Sequence, residues 1–173
     1  MNRKIFYFVI ILLLSSVKSV LSENISYLDM NFLMNDSLAG KSIISEINSQ
    51  KKTLSTKFDK EENNLRQKET KLISQKNLLK KDDFQSKIDS LKEDINKYNL
   101  NKKELINLLN KKKETAENKL ATIIRNIISE YAKENSVSLI LHKNSIIIGK
   151  KELELTSVIL KILDNKTKKI KIK

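Results

Sequence analysis

The sequence predicts a mainly α-helical chain with a small β body, from which a long antiparallel coiled-coil hairpin projects. Three observations predict it. Among 173 residues there is no Pro and only two Gly, while 32% are charged, a composition of long uninterrupted helices rather than of a turn-rich β fold. From Lys41 to about Glu134 neither Pro nor Gly occurs, so the stretch reads as helix throughout. Unbroken it would measure roughly 140 Å at about 1.5 Å per residue, so it folds back on itself. Short clusters of apolar and β-branched residues flank it, Ile25 to Met30 on one side and Val137 to Ile148 on the other. With 39% hydrophobic but only 5% aromatic residues, the chain lacks the material for a broad globular core.

At the start of the chain, Arg3 and Lys4 precede the apolar run Ile5 to Leu14, after which Ser15, Ser16, Lys18 and Ser19 dilute the pattern. This is the layout of a secretory signal peptide, and ten apolar residues fall short of a hydrocarbon core of roughly 30 Å. Residues 1–22 are read as that signal peptide, with cleavage expected after Ser22. Its removal takes Arg3, Lys4 and Lys18 from the 34 basic residues and leaves 31 against 21 acidic ones, a net charge of +10. With no Cys in an exported chain, stability has to come from packing and assembly. Retention of residues 1–22 would instead make the chain a membrane-anchored structural coiled-coil stalk of the cell envelope.

The mature chain divides into a discontinuous body, residues 23–41 and 135–173, and a helical hairpin, residues 42–134. Ile25 to Met30 alternates as a short strand, and Ala39-Gly40-Lys41 reads as a break before the long helix. The first half of the hairpin carries Ile43, Ile44 and Ile47, then about one large apolar residue per heptad at Leu54, Phe58, Leu65, Leu72 and Leu79. The chain is expected to reverse near residues 77–83, with Asp82 as N-cap of the returning helix. That helix has the better seam, in which Phe84, Ile88, Leu91, Ile95 and Tyr98 are followed by Leu105, Leu109, Ala116, Leu120, Ile123, Ile127 and Tyr131, interrupted at Lys102 and Lys112. The apolar density is thus high beside the strands and low toward the tip, which predicts a slender, largely solvated arm. Lys76, Lys80, Lys81 and Lys87 make that tip basic, either a solvated helix face in a Lys-rich chain or a surface suited to anionic headgroups or acidic chain segments.

Beyond the hairpin, Val137 to His142 and Ser145 to Ile148 read as a β-hairpin closed near Lys143-Asn144. Thr156 is the expected cap of a short helix carrying Val158, Ile159, Ile162 and Leu163, and Lys166 to Lys173 reads as a frayed basic tail. Apolar residues at consecutive strand positions need covering on both faces, so the body is expected to associate with copies of itself.

Catalytic chemistry finds no support. With no Cys and one His, at His142, neither a thiol nor the usual zinc set can be built, and no metal site or cofactor is expected. The acidic pairs Glu61-Glu62 and Asp82-Asp83 are adjacent in sequence and diverge by about 100° on a helix. Only Arg3, Arg66 and Arg125 among the basic residues are Arg, which together with export argues against a nucleic-acid partner.

Three stretches resemble the Skp/OmpH family of periplasmic chaperones: Ile25-Ser26-Tyr27-Leu28-Asp29-Met30-Asn31 through Asn35-Asp36-Ser37-Leu38-Ala39-Gly40-Lys41, then Leu78-Leu79-Lys80-Lys81-Asp82-Asp83-Phe84 beside the tip, then Val137-Ser138-Leu139-Ile140-Leu141 through Ser145-Ile146-Ile147-Ile148 and Glu154-Leu155-Thr156. Glu154 stands where many members have Asp. The resemblance implies a homotrimer whose β bodies associate and whose hairpins project as tentacles around a cavity. There, unfolded outer-membrane proteins are held without ATP. Leu65, Leu72, Leu79 and Phe84 are the candidate client-binding residues, although for each taken singly the pairing of the two helices is the favoured role.

Overall fold

The computed structural model describes residues 24–172, and the predicted signal peptide lies outside the described residues. The elements in chain order are β1 (Asn24–Leu28), α1 (Met30–Asp36), α2 (Leu38–Ser74), α3 (Lys81–Glu134), β2 (Val137–His142) and α4 (Thr156–Lys166), with 3-10 turns at Lys143–Ser145 and Lys151–Leu153. Helices α2 and α3 form the long arm. Its antiparallel sense follows from its cross-helix ion pairs, Lys68 with Asp94 and Glu62 with Lys102, in which later residues of α2 meet earlier residues of α3. At about 1.5 Å per residue the two helices are roughly 55 and 80 Å long.

Because α3 has 54 residues against 37 in α2, its C-terminal part runs on beyond the arm and becomes the spine of the body. Leu120, Ile124 and Ile127 are buried there with Leu33, Ile43, Leu155, Ile159 and Leu163. Strand β1 pairs with β2 in parallel, from Asn24 opposite Val137 to Leu28 opposite His142. The whole arm is thus the crossover between two parallel neighbours.

Several local expectations are corrected. The β-hairpin over Val137–Ile148 does not form: a two-residue connection needs positive φ, Lys143-Asn144 offers none, and Lys143–Ser145 turns as a 3-10 helix instead. The partner of β2 is β1, whose far edge is engaged by a bridge between Tyr27 and Glu154, with the Leu155 N–H donating to the Tyr27 carbonyl at 2.8 Å. Strand β1 ends at Leu28, since Asp29 caps α1 by accepting from the Phe32 N–H at 2.9 Å. Gly40 is not a break. It sits in the first turn of α2, where buried Ser37 caps the helix by accepting from the Gly40 N–H at 3.0 Å.

Glycine is required at position 40 for a different reason, because a Cβ there would stand 2.0 Å from the Met34 carbonyl oxygen. Lys80, not Asp82, is the N-cap of α3, and Asp82 and Asp83 lie in its first turn, where carboxylates oppose the positive end of the helix dipole. Thr156 opens α4 without capping it and instead accepts from the Asp29 N–H at 2.9 Å, tying α4 to the end of β1. The C-terminal tail is not frayed either. Ile170 is buried, its N–H donates to the Ser42 hydroxyl at 3.2 Å, and Ile172 packs beside it.

Candidate functional site

Along α2 the last buried side chain is Phe58, and along α3 none is buried before Leu109. The arm outward of Phe58 is therefore held by half-buried contacts. The seam residues Phe84, Ile88, Leu91 and Tyr98 are of this kind, as are Leu65, Leu72 and Leu79. Leu65 shares a shallow groove with Tyr98, and Leu72 shares one with Leu91 and Lys87. Each is mostly covered by its own arm and partly available.

Lys102, which interrupts the apolar pattern in sequence, is the centre of a polar joint. Its ammonium donates to Glu62 at 2.7 Å and lies 5.4 Å from the Phe58 ring centre and 5.3 Å from that of Tyr98. The two rings meet edge to face with centroids 6.3 Å apart, and the Tyr98 hydroxyl donates to the same Glu62 carboxylate. Hydrogen bonds from Lys102 and then Tyr98 hold the Glu62 carboxyl below the usual carboxylate range. The Glu62 hydrogen bond raises Lys102 in turn, and burial raises Tyr98. This joint and the Lys68–Asp94 pair at 2.7 Å farther out fix the register that the sparse apolar groups leave loose.

At the tip, the chain reverses between Gln75 and Lys80. Lys76, Lys80, Lys81 and Lys87 are exposed, and among the described residues none of them forms an ion pair. Leu78 is 82% exposed between them, and Ile73 and Leu100 also face solvent. Ile73 and Leu100 lie off the helix-pairing seam, and Leu78 lies in the reversal itself. For Ile73 and Leu100 the off-phase position is itself the signal, since a large apolar residue outside the seam of a two-helix arm has nothing in the arm to cover it.

The body carries the second exposed apolar surface. Ile147 and Ile148 are 99% and 92% exposed, with half-exposed Leu139 on β2 and Ile25 on β1. The loop that presents them is anchored by the Tyr27 hydroxyl, which donates to the Lys150 carbonyl at 3.2 Å, and by Gly149, where a Cβ would stand 2.8 Å from the Tyr27 ring. His142 ends β2 exposed, and among the described residues no group of three or more His, Cys, Asp or Glu could hold a metal ion.

This geometry defines a class of protein: a small α/β body bearing one long, sparsely packed helical arm, with surfaces suited to binding. The family model for outer membrane proteins of the OmpH-like kind matches residues 24–163, and the chain belongs to that family. A crystal structure from Caulobacter crescentus CB15, provisionally described as an outer membrane chaperone (OmpH-like), superposes with a TM-score of 0.81. The match covers 86% of this chain and 88% of that one at 13% identity, so the likeness is one of fold. No curated protein matches the sequence significantly.

Proposed function

We propose that this protein is an ATP-independent periplasmic holdase that keeps unfolded outer-membrane β-barrel proteins from aggregating before membrane insertion. The observation that carries the reading is the arm outward of Phe58, which fully buries no side chain of its own and leaves Leu65, Leu72, Leu79 and Phe84 partly available beside unpaired lysines. A strand of an outer-membrane barrel alternates apolar and polar residues and has open backbone edges until it inserts. Many weak apolar contacts hold such a chain without selecting one sequence, and lysines speed its capture where it is acidic.

In this reading three bodies associate through Leu139, Ile147 and Ile148, so that three arms enclose the client. Lys76, Lys80, Lys81 and Lys87 bring the tips to an anionic membrane surface. Membership of the family supports a periplasmic, non-enzymatic role, and among the described residues no helix is long and apolar enough to cross a membrane.

The test is light scattering of an unfolded β-barrel membrane protein diluted from denaturant with the mature chain. Suppression at stoichiometric trimer is expected, and none at molar excess would refute the reading. Sedimentation of the same preparation should give a trimer. The double substitution Ile147→Asp and Ile148→Asp should leave a folded monomer by circular dichroism, because neither side chain is covered within one chain. Recovery of the native protein with residues 1–22 still attached would favour the anchored stalk.

A further inference from the structure

The C-terminal tail, residues 167–172, lies along α3 and forms with it a groove of about 660 Å³. Its apolar lining is Leu108, Ala116 and Ile123 from the helix, and Ile170 and Ile172 from the tail. Lys111, Lys112 and Lys119 rise from the helix side, Lys169 and Lys171 from the tail side, and no Asp or Glu lines the groove. Among the described residues none of these five lysines is in an ion pair. The groove at the arm root differs, since Asp59 stands among its lysines. A cleft with an apolar lining and uncompensated cations on both walls is complementary to an occupant that is apolar and anionic at once.

The tail decides which kind. It is non-helical backbone, bent at Lys168 and fixed at Ile170, and among the described residues the N–H groups of Lys169 and Lys171 meet no protein acceptor. Unpaired amides along a non-helical wall can donate to the carbonyls of an extended peptide, and an acyl chain has no use for them. The helical wall from Leu108 to Ile123 is about 22 Å long at 1.5 Å per residue. That is the reach of roughly six or seven residues of strand.

We propose that this groove seats an extended peptide segment in which apolar side chains alternate with carboxylates, the apolar set facing Ile123 and Ile172 and the carboxylates meeting lysines from both walls. The proposal rests on the holdase reading and adds the place and side-chain chemistry by which one client segment is gripped.

The test is fluorescence anisotropy on the full mature chain with labelled short peptides alternating Leu with Glu, or Leu with Lys. The Leu/Glu peptide should bind and weaken with added salt, and the Leu/Lys peptide should not bind. Affinity for Leu/Glu should fall roughly tenfold or more in the double variant Lys169→Glu, Lys171→Glu and in Lys111→Glu, Lys119→Glu. The second pair alters the opposite wall and leaves the tail sequence intact, so a detached tail cannot account for both results.

Unchanged affinity in both variants, equal binding of Leu/Lys, or groove-dependent binding of anionic lipid vesicles with none of Leu/Glu would each overturn the proposal. Aggregation suppression measured in parallel separates the two readings. A chain that protects an unfolded barrel yet ignores Leu/Glu removes the groove alone, whereas one that grips the peptide yet protects nothing removes the holdase alone.

Discussion

Replacing Phe58 with Ala should disconnect the outer arm from the body without unfolding the body. Phe58 is 7% exposed and is the last buried side chain on α2. A Phe ring side chain buries on the order of 200 Å², and at about 25 cal/mol/Å² its covered part is worth at most about 4–5 kcal/mol. Measured Phe→Ala losses fall at about 3–5 kcal/mol, and the half-solvated surroundings of this ring place the cost near the lower end, about 3 kcal/mol. That is roughly a 100-fold rise in the population of the opened arm.

Phe58 is not among the residues of the main core cluster around Leu120, Ile124 and Ile159, so the loss has no direct path into the body. Hydrogen exchange resolved by residue is the assay. Amides from Glu61 to Ser74 and from Lys81 to Asn101 should exchange about 100-fold faster, while those from Leu120 to Ile127 keep their protection. Equal acceleration in both regions would mean that arm and body open as one cooperative unit. An unchanged outer arm would mean that the polar joint holds it unaided.

Three further outcomes follow from local geometry. Gly40→Ala forces a Cβ to within 2.0 Å of the Met34 carbonyl oxygen and 2.8 Å of its carbon, backbone that cannot swing aside, and should cost about 2–3 kcal/mol in urea unfolding. Ser136→Gly should add about 1 kcal/mol in the same measurement, because Ser136 follows the C-cap of α3 at φ 53°, where a Cβ is unfavourable.

The third concerns pH. The folded-state pKa of Glu62 is lowered, so its contribution is present above the ordinary glutamate value of about 4.3 and is lost as pH falls through the lowered one. Lys102 is raised, so its share persists from neutral pH up past the ordinary lysine range. The NMR signals of the Tyr98 ring should therefore titrate on the acid side of the ordinary glutamate range, and Glu62→Gln should abolish that step.

The arm was legible because its cause is local. Without Pro or Gly between Lys41 and Glu134 nothing stops a helix, and the spacing of Phe84, Ile88, Leu91 and Tyr98 sets the face that meets its partner. Lys102 looked like a defect because its compensation, Glu62, lies 40 residues back on the other helix. The body was less legible for the same reason. Nothing near Val137–His142 announces a parallel partner at Asn24–Leu28, and the β-branched residues of Ile146–Ile148 suit a strand as well as an exposed loop. The lysines of the tail suggest a solvated end, although Ile170 and Ile172, two residues apart, carry the alternation of a segment with one covered face. Of the candidate site, the half-covered seam residues could be found by phase. The groove walled by Lys169 and Lys171 could not, since it exists only once the tail is laid on α3.

The two kinds of exposed apolar surface imply two kinds of binding. Ile147 and Ile148 are adjacent, almost fully exposed and presented by a loop pinned at Tyr27 and Lys150. Covering both would contribute about 3–6 kcal/mol per chain at about 1.5–3 kcal/mol per side chain. A concentrated, preorganised patch of that worth favours one partner in one geometry, which is what association of identical bodies requires. Leu65, Leu72, Leu79 and Phe84 are spread along about 20 Å of arm and already mostly covered, so each has only a fraction of its transfer energy left to give, and no single partner geometry collects them all. Surface of that kind binds by number rather than by fit and releases piecemeal. On the proposed function, permanent assembly and temporary capture are thus divided within one chain by how its uncovered apolar area is distributed.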